Sequence, residues 1–240
     1  MKLKPAPLYL LAFFSLVFLL HEIHDWVHVI VSGALCHCWG MRGFDTWTPC
    51  SNCTPGGNQQ VVGLLFAALV MYVAIWASWF LMHPANSMRR RSIGFSLLFA
   101  SLPLMRIWHA CLRDADETSA FRAFFQHPRG QVAHFLVLGA ALAFVLLMTL
   151  PALIRAFMLL PGWKLKLLLY PAFLILPGLV DHWVVHDQMQ QLLLSGTFPN
   201  FIMRGVPTLV MAWLLINLTV YLLTRWSLPV FLDYPDTFDL

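Results

Sequence analysis

The stretch Leu8–Val29, "LYLLAFFSLVFLLHEIHDWVHV", decides how this chain folds. Its first thirteen residues, Leu8–Leu20, carry no charge, and the next eight place three histidines (His21, His24, His28) and two carboxylates (Glu22, Asp25). With the residues around it, the apolar part reaches the ~20 residues needed to cross a bilayer. In hydrocarbon every backbone N–H and C=O must be satisfied within the segment, so the stretch is a helix. Its ionisable end then lies inside or at the edge of the membrane, where such side chains are costly and are retained for a function.

The composition extends this reading to the whole chain. Only 11% of the 240 residues are charged, against about a quarter in a soluble domain. With 60% hydrophobic residues and a mean hydropathy of +0.72, there is too little polar surface to cover a water-soluble globule. The expected class is all-α: one polytopic transmembrane helix bundle covering residues 1–240. No polar block is long enough to fold by itself. The net charge of +4 comes mostly from loop Lys and Arg, so no nucleic-acid partner is expected; the surrounding partners are membrane lipids. The N-terminus "MKLKPAPLYLLAFFSLVFLL" imitates a signal peptide, but no small-x-small cleavage site precedes the histidines. A first transmembrane helix is expected instead.

Six apolar spans are readable, at about residues 7–35, 61–82, 93–112, 131–157, 166–186 and 206–224, with a Cys-rich outer loop at 36–60. Lys2 and Lys4, the "MRRRS" run (Arg89, Arg90, Arg91), Arg155, Lys164, Lys166 and Arg225 all fall on one side. The positive-inside rule makes that side cytoplasmic and places both termini there in a multi-pass protein. Nine of the ten histidines then lie toward the opposite face: His21, His24, His28, His37, His109, His127, His134, His182 and His186. Only His83 does not. Separate helices thus deliver the same ligand type to one depth.

Helical positions i, i+3, i+4 and i+7 share a face. His21, His24 and His28 therefore form one stripe with Asp25 beside it. His24 and His28 have the i,i+4 spacing that presents two imidazoles to one metal. His182 and His186 in "DHWVVHD" repeat that spacing between Asp181 and Asp187. The expected metal ligands are His21, His24, His28, His182, His186, Asp181 and Asp116, with Asp25 and Glu22 as candidate catalytic acids. The expected cofactor is zinc or another transition metal, iron included. Helix five is expected within one hydrogen bond of the helix-one cluster. Arg106, inside the third span, needs a carboxylate partner, for which Asp25, Asp181, Asp114, Asp116 and Glu117 are available.

The first outer loop, "CHCWGMRGFDTWTPCSNC", carries a C-x-C at Cys36 and Cys38 and a C-x-x-C at Cys50 and Cys53. It could close a zinc site or two disulfides, and disulfides are expected on an oxidising side. Cys111 reads as a buried thiol. "RDADETSAF" reads as an acidic loop or helix cap, one acid of which could complete the metal site.

Over roughly residues 15–120, the chain resembles the site-2-protease type of intramembrane zinc metalloprotease. The resemblance rests on "HDWVH" in an early transmembrane helix, a Gly-containing second helix and an acid after a third. It implies that His24 and His28 are zinc ligands, that Asp25 takes the general-base place, and that Asp114 or Asp116 is the third ligand. Asp25 stands where the family signature has Glu, and "RDADE" lacks the Gly that follows the family's ligand acid.

The expected function is therefore a membrane-embedded metalloprotein with a zinc-type site near the outer leaflet. It would act as a metallopeptidase-like hydrolase on a membrane-embedded peptide or lipid. The alternatives are a non-hydrolytic metal-binding, transport or assembly protein, and a di-iron or haem oxidoreductase. Carboxylate crowding argues against haem, and no adjacent His-His pair is present.

Overall fold

The computed structural model describes residues 2–3, 7–44, 46–48, 58–112, 115–125, 131–195, 201–202, 206–229 and 231–232. Among these the chain is an all-α bundle. In order, the helices are α1 (Pro7–Cys36), α2 (Asn58–Leu81), α3 (Met88–Ala100), α4 (Pro103–Leu112), α5 (Asp116–Phe124), α6 (Gln131–Leu159), α7 (Trp163–Asp181), a π-helical segment (His182–Met189), α8 (Gln190–Leu194) and α9 (Thr208–Thr224). Three two-residue antiparallel pairings are the only strands among the described residues. One of them, Met41–Arg42 with Trp47–Thr48, forms a hairpin directly after α1.

Six helical spans are long and apolar enough to cross a membrane, as expected: Pro7–Cys36, Val61–Leu81, Met88–Leu112, Gln131–Leu159, Trp163–Leu194 and Thr208–Ser227. Exposed aliphatic residues such as Leu136, Leu147, Leu168 and Leu223 suit lipid on the outside of α6, α7 and α9. The central helix is α1, which packs on α2 and α9 and also touches α3 and α7. Its N-terminal half is packed with aromatic rings. Tyr9 and Phe13 stack at 5.8 Å, and Phe13 meets Phe173 of α7 edge-on at 5.7 Å. Phe173 in turn contacts Phe95 and Phe99 of α3. This aromatic cluster is a floor beneath the histidine-bearing half of α1.

Two spans differ from the boundaries expected. The "MRRRS" run is not a loop but the first turn of α3, capped by Ser87, whose hydroxyl accepts from the Arg90 N–H at 3.5 Å. The same span is broken in the middle. Leu102 has φ +51°, a left-handed conformation rare for a bulky residue. Pro103 disfavours right-handed helix at the residue before it and then starts α4 from a position that needs no N–H donor. The fifth span runs eight residues past His186, through the π-helical segment to Leu194. The acidic stretch read as a loop or cap is the start of a helix, α5, with Asp116 and Glu117 in its first turn. Cys111 is exposed rather than buried, because the last turn of α4 points outward at that residue.

Close packing holds α3 against α2. A Cβ at Gly94 would stand 2.8 Å from both the Ser78 carbonyl and Leu81 Cβ.

Candidate metal centre

Three side chains converge at the upper half of α1. His24 Nε2 lies 2.9 Å and His28 Nε2 3.3 Å from the same oxygen, Asp116 Oδ2. One donor atom from each residue lies within 4.8 Å of the others, so this His24–His28–Asp116 group could hold a metal ion. Ligand atoms 2.0–2.1 Å from a tetrahedral zinc are about 3.3 Å apart, close to the two spacings seen. The i,i+4 spacing puts both imidazoles on one face, with rings at 4.8 Å and nearly perpendicular. The third donor comes from the start of α5, which packs on α2 and α6. Burial alone would raise the Asp116 carboxyl. Hydrogen bonds from His24 and His28 outweigh that cost and hold the group well below the usual carboxylate range.

Behind the tripod, acids and imidazoles alternate. His24 Nδ1 donates to Asp25 Oδ1 at 3.1 Å, and Asp25 Oδ2 is 3.7 Å from His21 Nε2. His21 Nδ1 donates to Asp181 Oδ2 at 2.9 Å. Carboxylates face both nitrogens of His24, so each nitrogen carries a proton or, at Nε2, a metal ion in the proton's place. A carboxylate on the remote nitrogen fixes the tautomer and orientation of a ligating imidazole. The fifth span thus joins the α1 cluster through the hydrogen bond between His21 and Asp181, the last residue of α7.

A cavity of about 620 Å³ opens in front of these groups. Six histidines line it: His21, His24, His28, His109, His182 and His186. Asp25, Asp116, Glu117, Asp181 and Arg106 also reach it, and Met71, Leu102, Met105 and Val185 supply apolar wall. That volume is in the range of small-molecule sites. The break at Leu102 and the π-helical turn both fall on the cavity wall, where departures from regular helix commonly accompany function.

Asp25 lines the cavity, and its carboxylate meets Nδ1 of His24, the ring nitrogen turned away from Asp116. Glu22 is absent from the cavity lining. It is fully buried, and its Oε2 accepts from Arg42 of the hairpin, whose guanidinium also lies 5.0 Å over the Trp26 ring. The i,i+1 offset from His21 turns Glu22 off the histidine stripe. His182 and His186 line the cavity with parallel rings 4.8 Å apart, outside the His24–His28–Asp116 group. Arg106 finds its carboxylate in Glu117, at 3.0 Å. His134 does not line the cavity. Asp114, His127, Cys50 and Cys53 lie outside the described residues.

Sequence reasoning did not single out Arg42, nor Tyr72, whose hydroxyl donates to Glu117 Oε1 at 2.5 Å. The available signal for Arg42 was Glu22 itself, since a carboxylate buried in a helix needs a cation. No protein-family model, curated protein or solved structure matches the chain, so the centre is characterised by its geometry alone.

Proposed function

We propose that the protein is a membrane-embedded, metal-dependent hydrolase with a zinc-type ion on His24, His28 and Asp116. Its substrate is a membrane-embedded peptide or lipid that enters the cavity between helices. The observation that carries this reading is the two-imidazole, one-carboxylate tripod facing a cavity with room for a reacting group. Such a zinc site keeps a fourth position for water and lowers the pKa of that water toward ~7. The chain's own residues do the rest. Asp25 holds His24 with its Nδ1 protonated and Nε2 toward the ion. Glu117 and Tyr72 hold Arg106 at the rim. His109 is a further imidazole on the cavity wall. The aromatic floor of Phe13, Phe95, Phe99 and Phe173 supports a dead-end site over a metal-transport path, which would need a polar track through it.

Two His and one carboxylate also suit non-haem Fe(II), and this donor set is what favours an iron oxygenase as the second reading. Metal analysis of detergent-purified protein separates the two: zinc is colourless and stays so in air, whereas iron is not. His24→Ala with His28→Ala should remove the equivalent of metal held at the tripod and with it cleavage of a fluorogenic transmembrane peptide in proteoliposomes. A double variant with full metal content would overturn the site.

The bundle is further proposed to place both termini in the cytoplasm and the histidine half outward, with the loop cysteines paired as disulfides. After reduction, a membrane-impermeant maleimide should label Cys50 in right-side-out vesicles. Labelling only in inverted vesicles would reverse the orientation.

A further inference from the structure

We propose that the end of the bundle opposite the histidines is a binding surface for anionic phospholipid headgroups, formed by Arg89, Arg90, Arg91, Lys164, Lys166 and Arg225. The two ends of the bundle differ in the sign of their charge. All six acids among the described residues belong to the histidine half: Glu22, Asp25, Asp116, Glu117, Asp181 and Asp187. The pairs Arg42–Glu22 and Arg106–Glu117 lie there too. None of the six cations at the other end therefore has a carboxylate partner among the described residues. Arg155 is not counted with them, because it is engaged within the bundle. Its guanidinium lies 3.8 Å over the Trp79 ring and donates to the Trp79 carbonyl at 2.9 Å. Asp233, Asp236 and Asp239 lie outside the described residues.

Packing brings these cations to one depth. Phe95 and Phe99 of α3 meet Phe173 of α7, which aligns the two helices. At 1.5 Å per residue, positions 89–91 lie about 6–9 Å from Phe95, and positions 164–166 about 10–14 Å from Phe173, so the two groups agree to about one helical turn. Ser96 of α3 donates to the Leu228 carbonyl at 3.1 Å, which draws the turn Arg225–Ser227 to the same end. Trp163 and Trp226, 69% and 67% exposed, flank the cations as indoles do at a membrane interface. Five of the six cations fall within the first four residues of α3 or α7, and neither helix has an acid in its first turn. Cations at a helix N-terminus add to its positive dipole end, so their potential is raised rather than offset. The anion that offsets it must come from outside, and a bilayer supplies one at this depth in the phosphate of an anionic headgroup. The inference makes no assumption about the metal centre or about which leaflet this end faces.

The test reconstitutes the full-length protein in nanodiscs of equimolar phosphatidylglycerol and phosphatidylcholine, extracts it in mild detergent and counts the retained lipids by native mass spectrometry. The wild type should retain phosphatidylglycerol in severalfold excess. Each Lys or Arg facing anionic lipid is worth roughly a fivefold change in occupancy. Arg89→Gln/Arg90→Gln/Lys164→Gln should therefore bring the ratio close to one, with phosphatidylcholine retention and elution volume unchanged. Those three side chains are exposed, so the variant keeps its fold. Excess glycerol phosphate should not displace the lipid; displacement would make the ligand a soluble phosphate and overturn the proposal. Asp233→Asn/Asp236→Asn/Asp239→Asn should keep the wild-type ratio. A phosphatidylglycerol excess seen only in that variant would make the chain's own acidic tail the occupant. Equal retention of the two lipids by the wild type, or an undiminished excess in the Arg89→Gln/Arg90→Gln/Lys164→Gln variant, would overturn the lipid surface and leave the metal centre standing.

Discussion

Replacing Asp25 by Asn separates the role assigned to it here from the one its position in "HDWVH" suggests. In the structure Asp25 Oδ1 accepts from His24 Nδ1 at 3.1 Å, and its other oxygen lies 3.7 Å from both His21 and Arg42. The asparagine has the same shape, so packing survives. Its oxygen is a weaker, neutral acceptor. Its amide group, if turned toward His24, would force the proton onto Nε2, the atom that must bind the ion. Losing a carboxylate behind a ligating imidazole costs about 10–100-fold in metal affinity, or about 1.4–2.7 kcal/mol. Arg42 keeps its buried partner Glu22, so no new unpaired charge enters the bundle. Competition with a chromophoric zinc chelator measures the dissociation constant directly. Asp25→Asn should weaken zinc within that range, while His24→Ala/His28→Ala abolishes binding at the tripod. Wild-type affinity in Asp25→Asn would refute the orienting role. Loss of hydrolysis with wild-type zinc affinity would restore Asp25 as the base.

Glu22→Gln should destabilise the folded protein by no more than about 3 kcal/mol, because the buried Arg42 then keeps only Asp25, 3.7 Å away, as a carboxylate partner. Thermal unfolding in detergent should show this, with recovery in Glu22→Gln/Arg42→Met. Gly94→Leu should sharply reduce folded yield on size-exclusion chromatography, since the Cβ alone would meet the Ser78 carbonyl at 2.8 Å, a backbone atom that cannot turn aside. Zinc affinity should fall as pH drops, because a ligating imidazole must give up a proton to bind the ion, while Asp116, held well below the usual carboxylate range, stays ionised. The limiting slope is about two decades per pH unit, read by zinc titration from about pH 8 down to about pH 5; an affinity independent of pH would remove the imidazoles from the site.

The six spans were legible because the bilayer leaves the backbone only one solution, and length alone then sets the number of helices. The His24–His28 pair was legible for a related reason: the helical repeat is known before the fold is. Asp116 could be named only as one of several acids after the third span, since its arrival at His24 depends on how α5 packs against α2. Arg42 and Glu117 were harder still. Each is one charge in a polar connection, and each acquires its role from a partner on a different element, Glu22 for one and Arg106 for the other. The contact that Asp25 makes was not legible either. Sequence spacing shows which face of α1 the residue shares but not which nitrogen of the neighbouring ring it meets. The break at Leu102 was signalled by Pro103, yet a proline in an apolar span reads equally well as a tolerated kink.

The alternating acids and imidazoles on α1 also bear on how the protein is made. Glu22 meets its cation only 20 residues later in the chain, whereas His24 waits 92 residues for Asp116 and His21 waits 160 for Asp181. At ~10 residues per second, α1 spends roughly 10 s in the translocation machinery or bilayer before Asp116 is synthesised, and roughly 15 s before Asp181. The hairpin that carries Arg42 neutralises the deepest carboxylate first, so the nascent helix needs a polar refuge only for its histidine face. The proposed metal capture at the tripod would therefore be a late event in biogenesis. Ribosome-stalled chains that end before α5 should hold α1 in the membrane yet take up no zinc there, and the ability to bind should appear with α5.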